Sequence, residues 1–367
     1  MTGKLVLENL KHRPMRSLLS ILLIVVPVTL ILCLVGLCHG MIADSQQRAR
    51  GSGADIVVRG SNAKTMLTQS SATLPAEFIK YFEEKQPHVV LAMGVVSKSI
   101  EFPLYANGVD LDRMAKMSGS FKYLEGGPFQ GPNDAIIDRF YSEQRKKHAG
   151  DTMELFGRPW RVSGIFEGGK LAHVLVPIQT LQEVEQVGTK YNQIFLKLDD
   201  PANTKAVIQQ LKLKLPDYPI FSMEELTSQI EESVNKQGLS AFIAVIIGIG
   251  VVIGFAVVCL SMYMAVLQRT REIGILKSLG GSKTFILAMI LTEALMLGAG
   301  GTVLGILMTF GARRVIEALQ PASFQMEIAY TWWPIVLGIT VTAAVLGALY
   351  PGLTAATHDP IEALSYE

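Results

Sequence analysis

Cysteine is scarce in this sequence, and so is charge. The chain has 367 residues and 3 cysteines, and each cysteine lies inside an apolar run: Cys33, Cys38 and Cys259. Without a paired spacing they offer neither a disulfide framework nor a thiolate metal site, so we expect them to pack as small apolar side chains. Charged residues make up 18% of the chain and the net charge is +1. Nothing in this balance favours a nucleic acid as a partner.

The usual signatures of an enzyme site are also missing. Residues 280–284 read GGSKT, but Ser282 separates the glycines from the lysine, so the segment does not match a phosphate-binding Walker A loop. The 6 histidines are scattered, and no two of them have the spacing of a metal site. No Gly-x-Ser-x-Gly pattern is present. We therefore expect no catalytic residue, no metal and no cofactor in this chain.

Long apolar runs are what the sequence does contain. Hydrophobic residues make up 49% of the chain and the mean hydropathy is +0.34, which is typical of a membrane protein. Roughly 20 apolar residues are enough to cross a bilayer as a helix. Four stretches reach this length, and we predict transmembrane helices at residues 17–43, 237–268, 284–312 and 328–353.

The basic residues set the expected orientation. Lysines and arginines precede the first span and fill the loop between the second and third, and such residues favour the cytoplasmic side. We therefore place residues 1–16, the loop 269–283 and the tail 354–367 in the cytoplasm. The short loop 313–327 and the long segment 44–221 then lie outside the cell.

The long outer segment is soluble in character and mixes α and β patterns. Residues 54–60, 158–167, 172–178 and 192–198 are rich in β-branched or aromatic residues and are predicted strands. Residues 74–86 and 204–215 are predicted amphipathic helices. The predicted fold class is an α-helical membrane protein with four spans in a one-plus-three arrangement. A large extracytoplasmic α+β domain lies between the first and second spans.

A polar helix leads into the second span. Ser222 and Glu225 have the spacing of a capping box, and no helix breaker separates the segment from the apolar run that follows. Residues 222–268 are therefore predicted to form one continuous stalk helix that enters the membrane. The alternative is a hinge at Gly238.

The loop between the second and third spans predicts a small amphipathic helix. Apolar residues repeat at Ile273, Leu276 and Leu279, with basic residues around them. Gly280 and Gly281 are predicted to end the helix, and Ser282 is predicted to cap the next one. Such a helix has two uses: docking into a groove of a partner protein, or lying on anionic lipid headgroups. The residues we assign to it are Arg269, Arg271, Glu272, Ile273, Leu276, Lys277, Leu279 and Gly280.

Two further features lie within the spans. Glu293 is an acidic residue in the third span, and it serves either as a functional contact in a cavity or as a structural hydrogen-bonding group. Glycines spaced four apart, at Gly250 and Gly254 and at Gly301 and Gly305, allow close helix packing within one chain or between two chains.

Three segments resemble the FtsX-like or MacB-like permeases of ABC transporters, the family that includes the lipoprotein-release permeases. Residues 268–305 match the loop and the helix that follows it in that family, with the run EIGILKSLGG. Residues 350–367 match the family's ending, and residues 150–169 are similar to a β segment of its outer domain.

The resemblance implies partners and a mechanism. The loop helix would dock on a separate ABC ATPase that binds ATP and magnesium, and ATP hydrolysis would move the outer domain, a process called mechanotransmission. The permease would form a homodimer or pair with a similar permease in the bacterial inner membrane. The resemblance also implies a periplasmic adaptor and an outer-membrane channel as further partners. Because only 16 residues precede the first span, the ATPase is expected to be a different chain.

Export of an amphiphilic substrate is the leading functional prediction. The alternative is a regulator that transports nothing and passes an ATP-driven signal to outer partners such as cell-wall hydrolases. A third option is a membrane-anchored sensor without an ATPase. The sequence does not identify the substrate.

Overall fold

The computed structural model of the protein describes residues 14–61, 74–101, 103–228, 239–268 and 270–357. The helices are α1 (Pro14–Arg50), α2 (Glu77–Lys85), α3 (Leu111–Ser118), α4 (Arg139–Arg145), α5 (Ile178–Glu185), α6 (Thr204–Lys214), α7 (Leu239–Gln268), α8 (Thr270–Ser278), α9 (Lys283–Leu319) and α10 (Trp332–Thr357). The strands are β1 (Ile56–Arg59), β2 (Val89–Glu101), β3 (Leu104–Val109), β4 (Tyr123–Gly126), β5 (Asp134–Asp138), β6 (Thr152–Leu155), β7 (Arg158–Phe166), β8 (Val174–Pro177), β9 (Gln193–Leu198) and β10 (Ile220–Ser222).

The chain divides into two compact units. The first unit contains helices α8 and α10, nearly all of α7, and most of α1 and α9. The second unit runs from Gly40 to Ser240 and also takes in Ile316–Gln325. Helices α1 and α9 both cross the boundary, so the last residues of each belong to the second unit.

Long apolar helices build the first unit. Among the described residues, three helices are long and apolar enough to cross a membrane: Ile21–Arg50, Lys283–Leu319 and Trp332–Thr357. Helix α7 contains a shorter apolar stretch, Ala244–Leu260. Three predicted spans therefore coincide with helices of sufficient length, and the count of four stays a prediction.

The core of the first unit consists of branched aliphatic and alanine side chains from all four long helices. Ile286, Ala344 and Ala348 have no exposed surface. Because lipid is as apolar as these side chains, such helices associate through close packing of small residues rather than through the hydrophobic effect. The outward-facing residues are also apolar, which suits a surface covered by lipid.

One mixed sheet forms the framework of the second unit. Its strand order in the described residues is β10-β1-β9-β2-β3-β8-β5-β7-β4, and β6 pairs with β7. The pairs β3–β8 and β5–β7 are parallel, and the other pairs are antiparallel. Strand β5 is buried along its whole length between β8 and β7. It is therefore among the best-anchored elements of the unit.

All four strands predicted from the sequence are confirmed, as β1, β7, β8 and β9. Both predicted amphipathic helices are confirmed as α2 and α6, and Phe82 and Leu211 are their fully buried contacts to the sheet. The capping box is also present: the Glu225 amide donates to Ser222 Oγ at 3.0 Å, and the Ser222 amide donates to Glu225 Oε2 at 3.1 Å.

Several predicted boundaries differ from the helix ends. Helix α1 continues to Arg50, beyond the predicted span end at residue 43, and α9 continues to Leu319 through the first half of the predicted loop 313–327. An apolar run in the sequence shows which part of a helix contacts lipid, but it does not show where the backbone hydrogen bonding of the helix ends. Both helices therefore extend beyond their apolar runs. The predicted continuity of the stalk helix falls on residues 229–238, which lie outside the described residues.

Candidate functional site

Helix α8 is the short helix that the loop between α7 and α9 was predicted to form. Of its predicted apolar positions, Ile273 is 6% exposed and belongs to the core of the first unit, whereas Leu279, just beyond its end, is 80% exposed. Leu276 is half-buried. The predicted apolar face is therefore divided: Ile273 packs inward, and only Leu279 is fully available to a partner.

Sequence analysis missed Ile275 as a member of the outward face. Ile275 is 45% exposed, and it lies four residues before Leu279, so the two side chains fall on the same side of the helix. The 3–4 spacing fits the pair 275 and 279 as well as it fits 273 and 276. Arg269 and the side chains of Arg271 and Glu272 lie outside the described part of the chain.

The end of helix α8 is fixed by two glycines, as the sequence predicted. The Gly281 amide donates to the Leu276 carbonyl at 2.9 Å, and the Gly280 amide donates to the Lys277 carbonyl at 3.0 Å. Gly280 has a φ of +93°, which is unfavourable for other residues. These bonds form a Schellman motif. Helix α9 then starts with Ser282 as its cap, because Ser282 Oγ accepts from the Phe285 amide at 3.2 Å. The loop is thus short and well defined.

Glu293 lies in helix α9 and is only 6% exposed. It shares its side of the helix with the buried residues Ile286, Ile290 and Leu297. Glu293 therefore faces the packed interior of the helical unit, and its assignment as an intramembrane contact stays a prediction.

The predicted packing glycines of α9 contact helix α1 of the same chain. A Cβ atom at Gly301 would lie 2.6 Å from Ile24 Cγ2, and one at Gly305 would lie 2.5 Å from Val28 Cγ1. The Thr29 hydroxyl also donates to the Gly305 carbonyl at 3.2 Å. This geometry brings the two backbones together within one subunit.

Of the other predicted glycine pair, Gly250 and Gly254, only Gly250 has surroundings that the structure describes. A Cβ atom at Gly250 would lie 3.2 Å from Ile31 Cδ1, again on helix α1. The surroundings of Gly254 lie outside the described residues. Helix α1 is thus the common partner of Gly250, Gly301 and Gly305.

A buried ion cluster lies in the second unit, where helix α1 ends. The Arg48 guanidinium donates through Nε to Asp44 Oδ2 at 2.8 Å and through Nη1 to Asp138 Oδ2 at 3.1 Å. His173 Nδ1 lies 2.9 Å from Arg48 Nη2 and 2.9 Å from Asp138 Oδ2. Arg48 is 6% exposed and Asp138 is fully buried. A buried charge of this kind depends on its partners, because removing one partner leaves the others without compensation.

The chain around this cluster is also tightly packed. The Leu171 amide donates to the Arg48 carbonyl at 3.1 Å, and the Asp138 amide donates to the His173 carbonyl at 2.8 Å. A Cβ atom at Gly51 would lie 1.8 Å from the Gly169 carbonyl oxygen. Only a glycine fits there. The end of α1 is therefore held by backbone contacts as well as by charges.

Sequence analysis missed this cluster because its members are far apart in the chain. Two local signals were present. Asp44 and Arg48 are four residues apart on a helix, which is the spacing of an ion pair. Asp138 ends the apolar run 135–137, and aspartate is a favourable residue for a helix cap. Nothing in the sequence indicated that His173 would complete the cluster.

A second polar contact involves the segment that follows helix α9. Gln144 Oε1 accepts from the amides of Ala322 and Ser323 at 2.9 and 3.0 Å, and Gln144 Nε2 donates to Ser323 Oγ at 2.8 Å. Ala322 and Ser323 are both buried. Gln144 lies on helix α4, whose first residue follows Asp138. The two contacts are therefore at opposite ends of one short helix.

Within the described residues, no group of three or more histidine, cysteine, aspartate or glutamate side chains is arranged to hold a metal ion.

Two family models match successive parts of the chain. The family model described as a MacB-like periplasmic core domain matches residues 17–213, and the model described as an FtsX-like permease C-terminal region matches residues 244–360. Each match includes residues of both units.

Two curated relatives illustrate the range of lengths. An uncharacterized ABC transporter permease of Methanocaldococcus jannaschii is 23% identical over 98% of this chain and 96% of the relative. A macrolide export ATP-binding/permease protein MacB of Acinetobacter baylyi is 25% identical over 97% of this chain and 58% of the relative. The chain therefore spans almost all of one relative and less than two thirds of the other. The crystal structure of the periplasmic region of MacB from Actinobacillus actinomycetemcomitans is 17% identical, covers 50% of this chain and 95% of that chain, and has a TM-score of 0.36.

Proposed function

Since the chain belongs to the family of MacB-like and FtsX-like ABC transporter permeases, we propose that it is the membrane subunit of an exporter. In this proposal a separate ABC ATPase binds ATP and magnesium, and the permease converts ATP hydrolysis into movement of its outer domain. The subunit works as a pair, either with a second copy or with a similar permease, in the bacterial inner membrane. The substrate class is amphiphilic.

The exposed side of helix α8 is the observation that carries the ATPase contact. Ile275 and Leu279 are apolar and exposed, in a loop that joins two long apolar helices. An exposed pair at this spacing fits a shallow groove on a partner protein. The Schellman motif at Gly280 and the cap at Ser282 join α8 to α9 through a short turn. A displacement of α8 is therefore transmitted to α9 through this short turn.

Continuity of the helices supports the transmission of movement. Helix α1 has 37 residues and ends in the second unit, and α9 also has 37 residues and ends there. At about 1.5 Å per residue, each measures about 55 Å, which exceeds the roughly 30 Å of a hydrocarbon core. Movement of either helix within the membrane is thus passed along an unbroken backbone to the outer domain. A wide pore is not needed for a substrate that is collected outside.

Purification of the tagged chain from its native membranes tests this function. We expect a chain with a Walker A motif to copurify, and its ATPase rate to respond to amphiphiles such as lipids, lipopeptides or macrolides. Changing Leu279→Asp is expected to abolish copurification, because a carboxylate in an apolar groove is costly. Leu213→Asp is the matched control, since Leu213 is a leucine on α6 that is 85% exposed.

The three outcomes of this experiment lead to different conclusions. Loss of the ATPase in Leu279→Asp and its retention in Leu213→Asp supports docking at α8. Retention in both variants contradicts that assignment. If only cell-wall hydrolases copurify and no amphiphile changes the ATPase rate, the chain is a regulator and not an exporter.

A further inference from the structure

Helix α4 is contacted at both of its ends by segments that continue from the long apolar helices. The end of α1 reaches its first turn through Arg48, and the segment after α9 reaches its last turn through Ser323. Both contacts lie within the second unit.

The contact at the start of α4 uses one carboxyl group for two purposes. Asp138 Oδ1 accepts from the Tyr141 amide at 2.9 Å and so caps the helix, while Asp138 Oδ2 accepts from Arg48 Nη1 at 3.1 Å. Because the carboxyl group is rigid and fully buried, a shift of Arg48 displaces the cap as well. The first turn of α4 is thereby tied to the last turn of α1.

The contact at the end of α4 uses one amide group for three bonds. Gln144 accepts two backbone N–H groups, of Ala322 and Ser323, and donates to the Ser323 hydroxyl. An amide side chain has two donors and one acceptor oxygen with two lone pairs, so this contact uses most of its capacity. Both backbone amides belong to buried residues, and removing Gln144 would take away the oxygen that accepts from both of them.

The position of α4 lets it pass movement to the sheet. The helix has 7 residues and follows directly from strand β5, without a loop between them. Strand β5 is buried throughout and pairs with both β7 and β8. His173 joins the cluster from the position just before β8. A displacement of α4 therefore acts on interior strands of the sheet rather than on a peripheral loop.

We propose that α4 is a two-point receiver that couples the outer ends of α1 and α9 to the sheet of the outer domain. The proposal rests on the proposed function, because it names the element that receives the movement. Arg48 and Gln144 are positioning residues in this scheme.

A distance measurement in the complete permease–ATPase complex tests the proposal. Spin labels are placed at Ser278→Cys and Leu213→Cys, both exposed positions, after the native cysteines are replaced. The distance between the labels is measured without nucleotide and after trapping with ATP and vanadate, in nanodiscs. The ATPase rate is measured on the same samples.

The variants Arg48→Met and Gln144→Leu remove the two contacts with side chains of similar size. Their controls are Arg50→Met and Gln179→Leu, which change the same residue types at exposed positions on α1 and α5. We expect both test variants to lose the ATP-dependent distance change while their ATPase rates stay within about two-fold of the parent. Both controls keep the distance change.

The possible outcomes separate the inference from the function. If the parent complex shows no ATP-dependent distance change, the proposed function is wrong and the role of α4 is rejected with it. If the parent shows the change and both test variants keep it in full, the role of α4 is overturned. If Arg48→Met does not fold, the half-buried Gln144 decides the outcome: loss of the distance change in a folded Gln144→Leu complex supports the proposal, and retention rejects it.

Discussion

Asp138 accepts a hydrogen bond from Arg48 at 3.1 Å, although 90 positions of chain separate the two residues. The bond joins the end of helix α1, most of which belongs to the helical unit, to the buried strand β5 of the outer domain. Arginine makes three separate contacts here, through Nε to Asp44, through Nη1 to Asp138 and through Nη2 to His173. The planar guanidinium group holds its N–H donors in a fixed arrangement, and this geometry allows the three contacts at once.

Arg48→Lys is therefore expected to be destabilising even though it keeps the charge. A lysine ammonium is a point charge and cannot span the three partners, so at least one buried group loses its contact. We expect a loss of about 1–3 kcal/mol in the free energy of unfolding, the cost of leaving a buried polar group without a partner. Denaturant unfolding of the purified full chain, monitored by proteolysis of the outer domain, measures this loss in the free energy of unfolding. Arg50→Lys is the control, and equal stability of both variants would contradict the prediction.

The contacts of Asp134 predict that the outer domain loses stability at acidic pH. Arg161 donates to both of its carboxyl oxygens at 2.9 Å, and the amides of Gln130 and Gly131 donate at 2.7 Å. The hydrogen bond from Arg161 is the largest cause that lowers the pKa of Asp134, and burial opposes it. A carboxyl group whose pKa is lowered by folding stabilises the fold above its unfolded pKa of about 4. This stabilisation is lost as the pH falls through the folded pKa.

Asp134→Asn tests that pH dependence. The variant is expected to lose about 1.5–3 kcal/mol at neutral pH, the range for hydrogen bonds to a charged group. Below about pH 4 the difference in stability between parent and variant shrinks, because the parent carboxyl becomes protonated and is then neutral, like the amide of the variant. Unfolding curves of both proteins at several pH values give the comparison. A difference that stays constant down to strongly acidic pH rejects the assignment.

The sequence predicted the long apolar helices and four strands of the sheet, but it missed other strands, including the central pair β2 and β3. The four predicted strands each have a β-branched or aromatic run with clear turn residues at the ends, and all four are present. Strands β2 and β3 were not predicted. In β2 the middle residues are buried on both faces, so the alternation that identifies a half-exposed strand is absent.

The candidate sites show the same limit. The glycines that stop α8 and the serine that caps α9 were predictable because their effects are local. The inward orientation of Ile273 was not, because it depends on which helices pack against α8. Asp138 and His173 come together through the sheet order, which places β5 beside β8, and Arg48 reaches them from the end of helix α1. A single sequence does not contain that order.

Gly305 is expected to tolerate no side chain. A Cβ atom there would lie 2.5 Å from Val28 Cγ1, and valine cannot move this atom away without a change of rotamer or of helix position. We expect Gly305→Ala to lower the stability of the helical unit by about 1–3 kcal/mol. Gly311 is the control on the same helix, because a Cβ atom there meets nothing within 4 Å.

Thermal unfolding of the detergent-solubilised chain measures this difference. Gly311→Ala is expected to be neutral or slightly stabilising, since alanine favours a helix over glycine by up to about 1 kcal/mol. The contact lies within one subunit, so the result does not depend on the state of assembly. Equal melting temperatures for Gly305→Ala and Gly311→Ala would show that α1 and α9 are not in close contact.

The division of the loop helix into an inward and an outward side predicts opposite effects for two apolar residues. Ile273 is 6% exposed, so Ile273→Ala leaves a cavity and is expected to cost about 2–5 kcal/mol in the stability of the helical unit. Leu279 is 80% exposed, so Leu279→Ala changes stability by less than about 0.5 kcal/mol. At a docking surface, however, removing an apolar anchor costs more than about 1 kcal/mol of binding, or roughly a five-fold loss of affinity for the ATPase.

Two measurements on the same pair of variants separate stability from docking. Unfolding of the purified chain reports the first, and titration of the ATPase onto the permease in nanodiscs reports the second. Ile275→Ala is expected to behave like Leu279→Ala, because Ile275 lies on the same exposed side. If Ile273→Ala weakens ATPase binding without a loss of stability, the inward side of α8 is the docking side, and the assignment of Ile275 and Leu279 to the partner is wrong.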